Sequence, residues 1–132
     1  MATTRETVER FYAELVNGRN FDLLDELLTP DAVNHGPTDE PAREAVVGAD
    51  KIVRAAFSDA VLHVDDMLID GDKAAVRWTI TGTHDGAFHG TPPTGKAIRV
   101  HATVVLGLRE GRIAELWPQI DFHGLISQVT GA

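Results

Sequence analysis

The spacing of hydrophobic residues changes near the middle of this chain, and that change limits the possible folds. Up to Phe57 the apolar residues recur every three to four positions, which is the period of amphipathic helices. From Val61 onward apolar and polar residues alternate, which is the period of β-strands. Helices followed by consecutive strands predict an α+β domain, in which a curved antiparallel sheet packs its apolar face against the helices.

The helical half predicts three helices. Thr3 and Glu6 have the spacing of a capping box at the start of the first helix, and Gly18 marks its end. A leucine-rich second helix stops before Pro30. Residues 49–57 predict the third helix. For the proline-, glycine- and acid-rich connection before it, Asp31 to Gly48, we expect a short extended piece followed by an exposed loop.

The second half predicts four long strands. Asp70-Gly71-Asp72 and Glu110-Gly111 are typical of tight hairpin turns, and a loop rich in glycine and proline lies between them at 85–95. The last strand ends near Asp121. Pro118 lacks a backbone donor, so we expect a sheet edge or a bulge there, and either face of this strand then points inward.

Composition narrows the class of protein. With 132 residues and 43% hydrophobic content, we expect a single domain spanning 1–132. Twenty acidic and twelve basic residues give a net charge of −8 without a basic cluster, which disfavours nucleic acid and anionic membranes as partners. The absence of cysteine excludes disulfides and thiolate chemistry. The charged N-terminus lacks a signal-peptide pattern, so we expect a cytoplasmic protein.

Asp121 is the candidate catalytic residue. Its neighbours in sequence include Trp117, Ile120, Phe122 and Leu125, and a carboxylate among large apolar side chains has a raised pKa unless it is paired. Such a group exchanges protons near neutral pH. The alternative is that Asp121 simply caps a short C-terminal helix.

Three segments carry a resemblance to a known family. The run GTHDGAFHGTPPTGK (Gly82 to Lys96), the segment EGRIAELWPQID and the terminal GLISQ resemble the SnoaL-like polyketide cyclases of the NTF2-like superfamily. The resemblance also covers the FY of the opening helix, LLTPDAVNH and AAFSD. It implies a cone-shaped fold, in which the curved sheet wraps around the N-terminal helices and encloses an internal pocket.

The resemblance also implies a reaction. Asp121 would act as the acid and base of an intramolecular aldol ring closure in polyketide biosynthesis. The substrate would be a small, hydrophobic, polycyclic aromatic ester, and no metal or organic cofactor would take part. Related NTF2-like proteins act as isomerases, epoxide hydrolases, cofactor-free hydroxylases or noncatalytic binders of small hydrophobes, so these alternatives stay open.

Several further residues are candidates for the same pocket. We predict that His35, near the cavity mouth, and His101, on a neighbouring strand, assist Asp121. The alternatives are a solvated loop position for His35 and a place on the outer or subunit face of the sheet for His101. The predicted lining of the pocket consists of Tyr12, Phe57, Trp78, Trp117 and Gln119.

Two other patterns concern metals and assembly. His84 and His89 lack a third histidine at ligand spacing, so we expect no metal site there. The polar and small residues at alternate positions of two strands form a regular face: Arg77, Thr79, Thr81, Arg99, His101 and Thr103. We expect this face to form the contact of a homodimer or higher homo-oligomer.

Overall fold

A computed structural model describes residues 1–131 of the protein. Its helices are α1 (Thr4–Arg10, continued by a π-helical segment, Phe11–Asn17), α2 (Leu24–Leu27, preceded by a 3-10 turn, Phe21–Leu23), α3 (Ala42–Ala56) and α4 (Phe122–Thr130). Its strands are β1 (Leu28–His35), β2 (Asp39–Pro41), β3 (Val61–Asp70), β4 (Lys73–Thr83), β5 (Ala97–Arg109) and β6 (Arg112–Ile120).

The six strands form one curved, open sheet in the order β2-β1-β6-β5-β4-β3. The predicted α+β architecture and its four long strands are confirmed, and Glu110 and Gly111 both have the positive φ of a two-residue hairpin turn. The short extended piece predicted from Asp31 onward belongs to β1, which begins at Leu28, whereas β2 was not predicted. The sheet was expected to be antiparallel, but β1 pairs in parallel with β6, so the sheet is mixed. Helix α3 begins at Ala42 rather than Ala49.

The helices pack against one face of the sheet, which we call the inner face. The first helix is capped as predicted by Thr3 and Glu6, and it inserts Val8, Phe11 and Leu15 into the main apolar cluster. Val76, Trp78, Val104 and Leu106 from the sheet complete this cluster. A second cluster joins Phe57 and Phe88 to Leu125 and Val129 of α4. Packing in these two clusters holds the strands of the sheet in place.

The first helix also covers the free edge of β3. The side-chain amide of Asn17 accepts from the Leu62 N–H at 2.9 Å and donates to the Leu62 carbonyl at 2.7 Å, as a neighbouring strand would. The Thr4 hydroxyl donates to the Gly71 carbonyl at the far end of the same edge. Strand edges with unpaired backbone groups promote association with other chains, so these contacts protect the β3 edge from strand pairing with another molecule.

Two β-bulges break the alternation of the strands. In β3 the pairing with β4 shifts between Val64 and Asp66, which leaves Asp65 as the extra residue. In β6 the pairing with β5 passes from Ile113 to Glu115, which leaves Ala114 as the extra residue. Each bulge moves the following side chains to the opposite face of the sheet. No helix among residues 1–131 is long and apolar enough to span a membrane.

Candidate functional site

The face of the sheet turned away from α1, which we call the outer face, carries aligned rows of polar side chains. Paired residues on neighbouring strands share a face. One row therefore contains Asp66, Arg77, Thr103 and Gln119, and the next contains His63, Thr79 and His101. Where these rows end at β6, a cleft of about 340 Å³ opens to solvent. We call it the outer cleft, and it is lined by Arg77, His101, Ala102, Thr103, Gln119 and Asp121.

Asp121 lies in this cleft but not in an apolar environment. Its side chain is exposed, and its Oδ1 accepts a 2.8 Å hydrogen bond from the Gly124 N–H at the start of α4. The expected burial of this carboxylate is therefore wrong, and Asp121 caps the C-terminal helix. A Cβ at Gly124 would lie 2.2 Å from the Asp121 Oδ2, so a side chain there would displace the carboxylate from this position. The Asp121 N–H donates to the His101 carbonyl at 3.0 Å, which holds the end of β6 beside β5.

His101 is tied to the neighbouring strands. Its Nδ1 lies 3.1 Å from the Thr79 Oγ1, and the Thr79 hydroxyl donates to the Asp65 Oδ2 at 2.6 Å. Thr79 is only 4% exposed. Arg77 lies beside this chain of contacts, donating to Asp66 at 2.7 Å and approaching Asp65 at 3.6 Å. Three strands therefore fix the imidazole at the outer cleft.

Sequence patterns did not single out Asp65 or Thr79 as site residues. One signal was present: Val64 and Met67 are apolar residues three apart with two aspartates between them. Because a regular strand places apolar residues at even spacing on one face, a spacing of three indicates a bulge. That bulge brings Asp65 to Thr79 on the outer face.

His35 lies farther along the outer face, in a different environment. Its Nδ1 is 2.9 Å from Asp39, its Nε2 is 2.8 Å from Glu115, and its ring stacks on Trp117 with centroids 5.0 Å apart. Hydrogen bonds to Glu115 and then to Asp39 raise the pKa of His35 above its ordinary value. Both nitrogens donate only in the imidazolium, so this arrangement favours the charged ring. Lys73 lies over the same indole, 5.0 Å from its centroid.

Three of the predicted lining residues belong to the inner side of the sheet. Tyr12 and Trp78 are both buried. Burial raises the pKa of the Tyr12 phenol well above its usual value. Tyr12 borders a second cleft of about 370 Å³ between α1 and β3. Phe57 is buried in the second cluster against His84 and Phe88. The predicted residues thus do not meet in one pocket.

The glycine-rich loop is held by His84. This side chain is fully buried, and its Nδ1 accepts from the Thr94 N–H at 3.3 Å, so the two ends of the loop are joined. His89 is exposed and packs edge-on against Phe88. Within residues 1–131 no group of three or more His, Cys, Asp or Glu side chains is arranged to bind a metal ion.

Comparison with known proteins agrees with this architecture. The family model described as SnoaL-like polyketide cyclase matches residues 6–129. Among solved structures, IdmH of Streptomyces antibioticus, a proposed polyketide cyclase, is 31% identical over 99% of this chain and 100% of its own, with a TM-score of 0.86. AclR of Streptomyces galilaeus, a proposed hydroxylase, is 25% identical over 98% of this chain and 82% of its own, with a TM-score of 0.84.

A third solved structure, TsrD of Streptomyces laurentii, is 26% identical over 97% of this chain and 95% of its own, with a TM-score of 0.83. Among curated proteins there is no significant match. The family model covers nearly the whole described chain, including the strands that carry the outer cleft. The protein therefore belongs to the SnoaL-like polyketide cyclase family.

Proposed function

We propose that this protein catalyses an intramolecular ring closure of aldol type on a polyketide-derived substrate, by proton transfer and without a cofactor. The observation that carries the proposal is that His101 and Asp121 line the same outer cleft, beside Arg77 and Gln119. A base, an anionic group and two hydrogen-bond donors are the parts that enolate chemistry requires. Membership in the cyclase family supports the choice of reaction.

His101 is the base in this mechanism. Imidazole exchanges protons near neutral pH, and the ring removes a proton from a carbon between two carbonyl groups. The enolate carbon then attacks a second carbonyl carbon of the same molecule, which forms the ring bond. The imidazolium returns the proton to the new alkoxide oxygen, so the reaction is balanced without a further reactant. The carboxylate of Asp121 stabilises the imidazolium during the cycle.

The other lining residues position the substrate. Gln119 and Arg77 donate hydrogen bonds to carbonyl oxygens, which carry negative charge as the enolate forms. The cleft of about 340 Å³ is open to solvent, so it covers only part of a bound ring system. His35 takes no part in the mechanism, because Asp39 and Glu115 occupy both of its nitrogens.

Deuterium exchange tests this proposal before the natural substrate is known. Anthraquinone-type esters with an acidic methylene are incubated with the protein in D2O, and NMR follows exchange while mass spectrometry follows ring closure. We expect His101→Gln to slow exchange by at least about a hundredfold. The matched control is His63→Gln, because His63 lies on the same face, bonded to Thr81, and does not line the cleft. Equal rates in both variants would refute the role of His101.

The inner face favours one alternative function. The inner face of β5 and β6 includes Ala102, Val104, Leu116, Pro118 and Ile120, none of which titrates. Ile80 and Ile120 contact both apolar clusters while remaining partly exposed. A noncatalytic module that binds a small hydrophobe between the helices and the sheet would use these surfaces. Thermal stabilisation by such compounds without any exchange at the outer cleft would favour this alternative.

We also propose that the protein works as a homodimer. The outer face carries an apolar row across four strands, formed by Leu68, Ala75, Val105 and Trp117, in which Leu68 is 71% exposed and Val105 is 37% exposed. A second copy packed on this row by two-fold symmetry would cover it. The row of Thr79 and His101 lies four residues farther along β4, about 13 Å away, so the outer cleft stays at the rim of the contact.

A further inference from the structure

We infer that the π-helical segment Phe11–Asn17 is a gate on the second cleft, between α1 and β3. In the closed position, which is the one observed, Asn17 holds the segment against the edge of β3. A shift of the segment to α-helical pairing releases Asn17 and admits a small apolar molecule to the inner face of the sheet. This role goes beyond the proposed reaction and does not depend on which residue is the base.

The second cleft, of about 370 Å³, exposes apolar side chains that the helices leave partly uncovered. Val64 lines it and pairs with Trp78 of the main cluster, so both lie on the inner face. Val64 is nevertheless 40% exposed. The charged side chains of the lining, Arg5 and Glu9, are half exposed and lie 3.6 Å from each other. An apolar molecule therefore fits this cleft better than an ion.

Asn17 closes the cleft by bridging helix and strand. Its side-chain amide accepts from the Leu62 N–H at 2.9 Å and donates to the Leu62 carbonyl at 2.7 Å. Asn17 is itself exposed, so water replaces both bonds when the segment moves away. Local openings of this kind cost less free energy than unfolding of the whole domain.

The π-helical pairing determines which side chain meets β3. Backbone bonds join residues five apart in a π-helix and four apart in an α-helix. The Gly18 N–H donates to the Ala13 carbonyl at 3.1 Å, which is the π pairing. One turn beyond Tyr12 lies Asn17 in this pairing, whereas Val16 would lie there in an α-helix. A shift to α pairing therefore turns Asn17 away from β3 and brings the apolar Val16 to the cleft.

Gly18 makes the observed pairing possible. A Cβ at Gly18 would collide with the carbonyl oxygen of Glu14, which is a backbone atom and cannot move aside without changing the turn. A regular α-helix, in contrast, accepts alanine more readily than any other residue. π-Helices are rare and are frequent at functional sites. Gly18 is therefore the position at which one methyl group changes the balance between the two pairings.

Native-state hydrogen exchange, followed by NMR, tests the gate in the wild-type protein. After correction for intrinsic rates, we expect the Leu62 amide to exchange at least about a hundredfold faster than the Leu106 amide of the central strand β5, because a local opening exposes it. Exchange of Leu62 only through unfolding of the whole domain would overturn the inference.

Gly18→Ala tests the pairing itself. We expect exchange at Leu62 to rise at least about fivefold, from the helix preference of alanine alone, and contacts between the methyl groups of Val16 and Val64 to appear in NOE spectra. The matched control is Gly48→Ala, which adds a methyl group to α3 at a position with no atom within 4 Å of the new Cβ. Leu62 should exchange at the wild-type rate in this control. Equal exchange in the two variants would overturn the inference.

Binding of N-phenyl-1-naphthylamine, a neutral aromatic dye that fluoresces in apolar surroundings, measures access to the cleft. Stopped-flow fluorescence gives the association rate, and methyl shifts of Val64 and Met67 locate the bound dye. We expect association at least about fivefold faster in Gly18→Ala and in Asn17→Ala, which removes the bridge without changing the backbone, than in the wild type and Gly48→Ala. Absence of binding, binding that leaves both methyl signals unchanged, or a wild-type rate in Asn17→Ala would overturn the inference even if Gly18→Ala does not fold.

Discussion

Replacing Asp121 separates its structural role from its proposed chemical role. Its carboxylate is exposed and caps α4 through the 2.8 Å bond from Gly124. Asparagine caps a helix about as well as aspartate, so Asp121→Asn loses only the interaction of the charge with the helix dipole, about 0.3 to 1 kcal/mol. Asp121→Ala loses the cap as well, and we expect a total cost of about 1 to 2 kcal/mol.

The matched control for the cap is Thr3→Ala. Thr3 caps α1, and its side chain accepts from the Glu6 N–H at 3.1 Å. Thr3 does not line the outer cleft and is far from its residues in the sequence. Urea denaturation at pH 7 should give similar losses for Thr3→Ala and Asp121→Ala. An Asp121→Ala variant as stable as the wild type would show that the capping bond contributes nothing.

Measurements of activity should rank these variants in a different order from measurements of stability. We expect Asp121→Asn to slow exchange at least about tenfold, because the amide keeps the cap but removes the charge that stabilises the His101 imidazolium. Thr3→Ala should exchange at the wild-type rate despite its lower stability. Wild-type exchange by Asp121→Asn would refute the catalytic role of Asp121 and leave it as a helix cap.

Three further predictions concern stability and assembly. Because the pKa of His35 is raised in the folded protein, protonation of His35 stabilises the fold. This contribution is fully present below about pH 6.5, the ordinary value for histidine, and is lost as the pH rises through the higher folded pKa. Urea midpoints measured from pH 6 to 9 should therefore fall more in the wild type than in His35→Gln. Equal pH dependence would exclude the contacts with Glu115 and Asp39 as its cause. Asn17→Ala leaves the Leu62 backbone groups unpaired at a sheet edge, so it should lower the free energy of unfolding by about 1 to 3 kcal/mol and promote aggregation. Denaturation measures the first effect and light scattering the second. Light scattering at micromolar concentration should give twice the chain mass, and Val105→Arg should give the monomer, whereas a monomeric wild type would exclude the homodimer.

Local patterns predicted the long strands and their turns because each depends on nearby residues. Alternation from Val61 onward and the Glu110-Gly111 turn require no knowledge of distant contacts. Only a short extended piece was predicted where β1 lies, because Pro30 indicates the end of a helix and the following residues lack a clear period. Pro30 falls where the pairing of β1 with β6 is irregular, between Leu28 and Val33, so the ladder tolerates it. Pairing with a strand about eighty residues away is a tertiary effect that local propensity does not contain.

The candidate site was predicted only in part, because some of its contacts also depend on residues that are distant in the sequence. Asp121 and His101 were identified from the sequence, and both line one cleft. The buried Thr79 looked like an ordinary strand residue, because its importance depends on Asp65 and His101 from two other strands. His35 and Trp117 were expected beside Asp121, but stacking with each other holds them farther along the outer face.

The bulge at Ala114 explains why the predicted lining of one pocket divides between two faces. Counting alternate residues from the buried Ile113 places Trp117, Gln119 and Asp121 on the inner face. The extra residue reverses this assignment, so Leu116 and Ile120 face inward instead. Without the bulge, two carboxylates and an amide would be buried in the apolar core, which costs free energy. Leu116 and Ile120 would face water instead, and exposing each of these side chains costs roughly 1.5 to 3 kcal/mol. The sequence contains the signal, since Ile113 and Leu116 are three apart, as Val64 and Met67 are in β3. Two bulges of this kind therefore bring the acidic residues of β3 and the end of β6 to the same face as His101.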